Sequence, residues 1–429
     1  MSHARVLAYG LLGLPLAFAA LPIYVHLPRY YAETAGIDLA LLGAILLGAR
    51  LLDAGIDPWL GALADRVSRP TMVAVALLPF AAGFVALLHP PAGAAAPWLL
   101  GSLALTYLGY SAATVAYQAW GADIGDSPGL RTRLTAAREG FGLLGVVLAA
   151  VLPSVLAADF AVGVERLSWV LPPLLLVAAL VTFSRFGSAG RRSATTAGCA
   201  DPREGLQDSV PWPSPAASQP WWQAARAVLA EPAFRRLLLV FVVNGFASAL
   251  PATLFLFFVA DVLQRESASG PLLALYFVAG AASLTLWVRI AAIRGRVAAW
   301  FLAMLLSIAA FAGAGLLGSG DLWPFAAICL ASGLALGADL ALPAAIAADI
   351  GERMRQTGAC FGVWNFVAKL NLALAAGLAL PLLAVLGYSP GSAGGLHALV
   401  FAYALLPLAC KALAAWLLWR WRSTLEIEK

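Results

Sequence analysis

Charge is scarce in this chain. Asp, Glu, Lys and Arg together make up 11% of its 429 residues, whereas apolar side chains make up 62% and the mean hydropathy is +0.86. A soluble enzyme or a disordered chain needs far more polar surface, so both are excluded. Cysteine is sparse too, and Cys199, Cys329, Cys360 and Cys410 show none of the paired spacings of a disulfide framework or a zinc site. Histidine is limited to His3, His26, His89 and His397, all near the ends of apolar stretches, with no clustered acid, base or metal motif beside them. A membrane-embedded enzyme is thereby left without machinery. Strand-like alternation of polar and apolar residues is missing as well, which excludes an outer-membrane barrel.

What the chain has instead is long apolar runs. A hydrocarbon core about 30 Å thick takes ~20 helical residues to cross, so this composition supplies about a dozen crossings. Spans are predicted near 6–28, 39–63, 71–89, 97–121, 135–157, 167–185, 234–261, 271–289, 297–317, 323–348, 359–386 and 396–419. The first run starts near Val6 without a small-residue cleavage site before the second, and so reads as a retained helix, not a signal peptide. The fold class is an all-α membrane protein with twelve transmembrane helices. Its divisions are a six-helix bundle over 1–185, a Ser-, Pro- and Gly-rich flexible linker over 186–233, and a second six-helix bundle over 234–429.

The basic residues orient the bundle. With the N-terminus inside, 20 of the 27 Lys and Arg fall on the cytoplasmic side, and three, Arg29, Arg166 and Arg265, fall outside. This bias places both termini and the linker in the cytoplasm, as for a protein of the bacterial inner membrane. The net charge of +5 therefore marks one membrane face and not affinity for nucleic acid. The halves also resemble one another. "ADIG" at 122–125 recurs at 348–351, an offset of 226, and "ALP" at 20–22 recurs at 249–251, an offset of 229. Repeated bundles around a central site are the usual build of a secondary transporter working by alternating access.

Charges inside the spans are the functional candidates, because one at mid-bilayer costs at least ~2.5–3.5 kcal/mol. They are Arg50, Asp53 and Asp57 in the second span, Arg138 in the fifth, Asp339 in the tenth, Lys369 in the eleventh and Lys411 in the twelfth. Arg50, Asp53 and Asp57 stand at i, i+3 and i+7, on one helix face. Two carboxylates one turn apart suit Na⁺ or a shared proton; a structural neutralisation of Asp53 by Arg50 is the competing explanation. Lys369 lies about 15 Å into its helix, too deep to snorkel easily, whereas for Arg138 snorkelling competes with function. Asp339 is open to two roles, a partner for Lys369 or a contact to solute, and Lys411 reads as an interfacial anchor. In "GALADRVSR" at 61–69, Gly61, Asp65, Arg66 and Arg69 form a candidate gate in which Asp65 meets an arginine or a helix terminus across the bundle; a solvated turn is the alternative. Gln118 and Asn244 are neutral candidates for lining a cavity, or for helix–helix hydrogen bonds.

These residues resemble the major facilitator superfamily and, within it, the melibiose-permease-like glycoside–pentoside–hexuronide:cation symporters. The loop with Gly61, Asp65, Arg66 and Arg69 is similar to the superfamily's signature between helices two and three, and "ARLLDAGIDPWLG" to the symporters' helix-two motif. "AYQAWGADI", "EPAFRRLLLVFVVNG" and Lys369 extend the likeness over nearly the whole chain. The resemblance implies a cation site, for Na⁺ if sodium-coupled, at Asp53 and Asp57, with Ser111 as hydroxyl ligand. It also implies that Arg138 and Lys369 stand where cation and substrate sites meet. Departures fall in the sugar site, where Leu16, Ala17, Thr114 and Gln118 replace a Lys-Asp pair, a second acid and a Trp. The resemblance thus implies a monomeric, cation-coupled (Na⁺ or H⁺) symporter of a small, sugar-like solute, with no cofactor beyond the coupling ion. A carrier of a lipid-like or amphipathic solute on the same fold is the alternative, since lysolipid carriers share this branch.

Overall fold

The computed structural model describes residues 1–27, 30–31, 37, 39–91, 94–186, 220–265, 268–388 and 395–426. Every regular element among them is helical. Among the described residues, ten helices are long and apolar enough to cross a membrane: α1 (His3–Leu21), α3 (Arg69–Leu87), α4 (Ala95–Ile124), α5 (Pro128–Pro153), α6 (Ala161–Phe186), α7 (Pro232–Val262), α8 (Ser269–Arg294), α9 (Arg296–Leu316), α10 (Leu322–Arg353) and α12 (Leu396–Arg420). The second and eleventh predicted spans coincide with α2 (Leu39–Ala64), of 26 residues, and α11 (Thr357–Val385), of 29. At ~1.5 Å per residue either exceeds the ~30 Å of a hydrocarbon core. These two carry the charges central to the site below.

Local sequence explains where the helices start and how far they run. Ser127 accepts a hydrogen bond from the Leu130 amide, and Pro128 follows at the first helical position, so α5 begins seven residues before the predicted span. Likewise α10 runs five residues past its predicted end, to Arg353. Arg131, Asp349 and Glu352, which the sequence places in connecting segments, therefore stand on rigid helix ends. A further difference concerns the stretch read as linker. Residues 187–219 lie outside the described residues, but Trp221–Ala230 is a helix, with Val228 buried and Trp222 exposed. It packs against α2, α11 and the start of α7.

Packing within each half joins neighbours in the chain and helices further apart. α3 lies against α4 and α1 against α5; α8 and α9 lie against α10, and α7 against α12. α2 and α4 pack against α11, α4 and α5 against α10, and α5 against α8, and these contacts join the halves. The α2–α11 contact is the closest in construction, because it is built on glycine. A Cβ at Gly61 would come 2.9 Å from the Gly362 Cα and collide with the Gly358 carbonyl, and one at Gly362 would meet the Asp57 carbonyl. Bare backbones let the two helices approach until the charges on them touch.

Candidate functional site

Asp53 and Asp57, one turn apart on α2, face Ser111 of α4 and Lys369 of α11. All but the lysine are buried, Asp57 completely. The Lys369 Nζ lies 2.7 Å from Asp53 Oδ2 and 2.9 Å from Asp57 Oδ2. It donates to Asp57 Oδ1 at 2.9 Å and to Ser111 Oγ at 2.8 Å, and Ser111 in turn donates to Asp53 Oδ1 at 2.6 Å. One ammonium thus meets two carboxylates. The ammonium occupies the centre of an oxygen cage that a monovalent cation would also fill. Asn365, one turn nearer the start of α11, donates to Gln118 Oε1 of α4 at 2.9 Å, so the same two helices are tied again beside the cage. Thr114 lies one turn past Ser111 on α4, and its hydroxyl is buried with no hydrogen-bond partner in the structure.

A second buried cluster lies among the C-terminal helices. Asp339 of α10 does not meet Lys369, contrary to one of its two sequence readings. Its Oδ1 accepts from Asn244 Nδ2 at 3.1 Å and from Trp300 Nε1 at 2.8 Å, and its Oδ2 accepts from Lys411 Nζ at 2.6 Å. Lys411 is therefore a buried ion-pair partner, 5% exposed, and not an interfacial anchor. With so little exposure, the ammonium takes the nearest carboxylate in place of water. Arg138 pairs with its neighbour in the chain. Its guanidinium donates to the adjacent Glu139 at 2.6 and 3.1 Å, near the paired Tyr9 and Tyr117 of α1 and α4. Glu139, which sequence reasoning passed over as the one acid in an arginine-rich helix, neutralises it.

A latch closes one end of the bundle. Asp65, just beyond α2, accepts from the backbone amides of Gly358 at 2.7 Å and Ala359 at 2.8 Å, capping the start of α11 across the seam. This is the helix-terminus contact that its sequence suggests. Burial pushes the Asp65 carboxyl above the usual carboxylate range, while those amides and Arg69 pull it back. Arg69 holds Asp65 at 2.9 Å and also pairs with Asp123. Arg66 is exposed and takes no part. On the other side of the latch, Arg131 of α5 reaches Asp349 of α10 at 2.9 Å and also pairs with Glu352, and Arg296 pairs with Asp349. The sequence repeat foreshadows this. Arg69 donates to the Ala119 carbonyl and pairs with Asp123; Arg296 donates to the Ala345 carbonyl and pairs with Asp349, each residue 226 or 227 positions later.

The chain matches the model of a family described as MFS/sugar transport protein over residues 6–424. No curated protein sequence matches it. Among solved structures it is similar to a bacterial homologue of the iron transporter ferroportin in an outward-facing state, at 15% identity and a TM-score of 0.70, covering 99% of this chain and 100% of that one. It is similar to the human organic anion transporter TETRAN at 20% identity and a TM-score of 0.67, covering 97% and 100%. A third is the E. coli fucose:proton symporter FucP, at 12% identity and a TM-score of 0.68, covering 98% and 97%.

Proposed function

The chain belongs to the MFS/sugar transport protein family of membrane transporters, and on that premise we propose that it is a symporter driven by Na⁺ or H⁺. Its solute is small and sugar-like by family. The observation that carries this reading is Lys369, seated between Asp53 and Asp57 with Ser111 as a neighbour. Two buried carboxylates held round one ammonium are costly to maintain for stability alone. A proton on a carboxylate or a Na⁺ among their oxygens competes with the ammonium for the same acceptors. Either ion weakens the hold on Lys369 and, through it, on α11. Because α11 is also capped by Asp65 at the latch, ion occupancy is coupled to the strength with which the latch end stays shut. Solute bound near Gln118, Thr114 and Asn365 meets the same two helices, α4 and α11, and so biases the same equilibrium.

In this reading the halves 1–185 and 234–429 rock about the cage, and the protein acts as a monomer in a bacterial inner membrane with both termini in the cytoplasm. The arginine asymmetry supports that orientation, and in this reading the latch is on the cytoplasmic side. Leu16 and Ala17, which take the place of the acids of a galactoside site, favour the second reading, an amphipathic solute. The test is accumulation in proteoliposomes under an imposed Na⁺ or H⁺ gradient. Asp53→Asn and Asp57→Asn should each abolish it in folded, inserted protein. One cation moving down ~100 mV supplies about 2.3 kcal/mol, nearly fifty-fold accumulation; full accumulation by the double variant would refute the role.

A further inference from the structure

A cavity of about 310 Å³ opens among α7, α8, α9, α10 and α12, with Leu21 of α1 at its edge, and the coupling cluster takes no part in it. Its walls are largely apolar, with Phe255, Phe277 and Phe311 among them, and one end carries Ser248, Asp339 and Lys411. The volume lies at the lower limit of pockets that hold drug-sized molecules, about 300–1,000 Å³.

The polar end is biased toward donation. Asp339 is committed, with three donors on its two oxygens. Lys411 spends one N–H on Asp339 and a second on Ser248 Oγ at 3.2 Å, which leaves the third of its ammonium hydrogens. Ser248 accepts from Lys411 and keeps its own hydroxyl hydrogen to give. A buried ion pair is seldom worth more to a fold than apolar residues of the same shape. Placed at the end of an apolar cavity, this one has a use. Asp339 offsets the lysine's charge while the cavity is empty, and the ammonium still has a charge-assisted hydrogen bond to offer.

The geometry points to a binding site in the C-terminal half for a small organic anion, its aromatic or aliphatic body among the phenylalanines and its anionic group on Lys411 and Ser248. The assignment rests on this cavity and not on the coupling reading, so the two fail separately: Asp57→Asn, which ends coupling, should leave this binding unchanged.

The test is calorimetric titration of the purified full chain with 2-naphthoate and with its neutral counterpart 2-naphthalenemethanol. The carboxylate should bind at least ten-fold more tightly. Ala252→Phe, which fills the cavity and leaves Ser248, Asp339 and Lys411 in place, should weaken naphthoate at least ten-fold. The paired variant Asp339→Asn with Lys411→Gln removes both charges together, so that neither is left buried alone, and should bind the two probes equally. No naphthoate binding to the unmodified protein, equal affinity for the two probes, or undiminished binding by Ala252→Phe overturns the assignment; should the paired variant not fold, Ala252→Phe decides by itself.

Discussion

Replacing Lys369 by glutamine tests the cage where it is most sensitive. The substitution keeps most of the side-chain volume but deletes the ammonium that lies 2.7 Å from Asp53 and 2.9 Å from Asp57. Both carboxylates then lose the ammonium they share, in a place where Asp57 has no exposure to solvent. Removing one partner of a buried pair costs about 3–5 kcal/mol. A cation free in solution can restore much of that loss by occupying the vacated position, and at a hundred-fold excess over its Kd it returns ~2.7 kcal/mol. We therefore expect Lys369→Gln to be destabilised in choline chloride and largely rescued in NaCl at equal ionic strength. The unmodified protein, whose cage already holds an ammonium, should gain much less. If the coupling ion is the proton, the rescue should instead follow acidification in choline chloride. The readout is denaturant unfolding of purified protein in detergent. The charge-balanced double variant Asp57→Asn with Lys369→Gln should recover most of the stability and lose most of the response to either ion. A Lys369→Gln protein as stable as the parent and indifferent to both Na⁺ and pH would refute the reasoning.

Gly61→Val should force α2 and α11 apart, since even a Cβ there collides with Gly358; we expect the latch end to become accessible to thiol reagents at a cysteine placed at Ala359, with a cost in stability of about 1–3 kcal/mol. A cysteine at Ser319 should react with an impermeant thiol reagent from outside intact cells and one at Ser68 should not; the reverse pattern would invert every assignment of sides. Melibiose should bind weakly or not at all by calorimetry in Na⁺, and Ala17→Asp with Thr114→Asp should raise galactoside binding; strong binding by the unmodified protein would show that its sugar site uses other residues.

Much of the candidate site was legible because helical spacing is geometric. Asp53 and Asp57 had to share a face, and Asp65 had to end α2 next to whatever crosses it. The pairing of charges was not legible, because it depends on which helices touch. Lys369 and Lys411 are both lone cations in apolar runs, yet one meets two carboxylates of α2 and the other meets Asp339. Their depth in the spans differs, but nothing in their own segments names either partner. The latch was half-legible: "ADIG" recurs visibly, but Arg131 and Arg296 counted only as topology charges until α5 and α10 were found to extend beyond the apolar runs that mark them.

By itself, then, the sequence determined an all-helical membrane bundle, since twenty-residue apolar runs can satisfy their backbone in lipid only as helices. It determined the repeat, and which buried charges demanded an explanation. Tertiary structure alone decided their partners, because desolvated charges pair with whatever lies within about 3 Å, and that distance is set by the approach of helices far apart in the chain. Glycines at 61, 358 and 362 close the gap between α2 and α11, and only across that gap does a lysine 312 residues downstream reach Asp57.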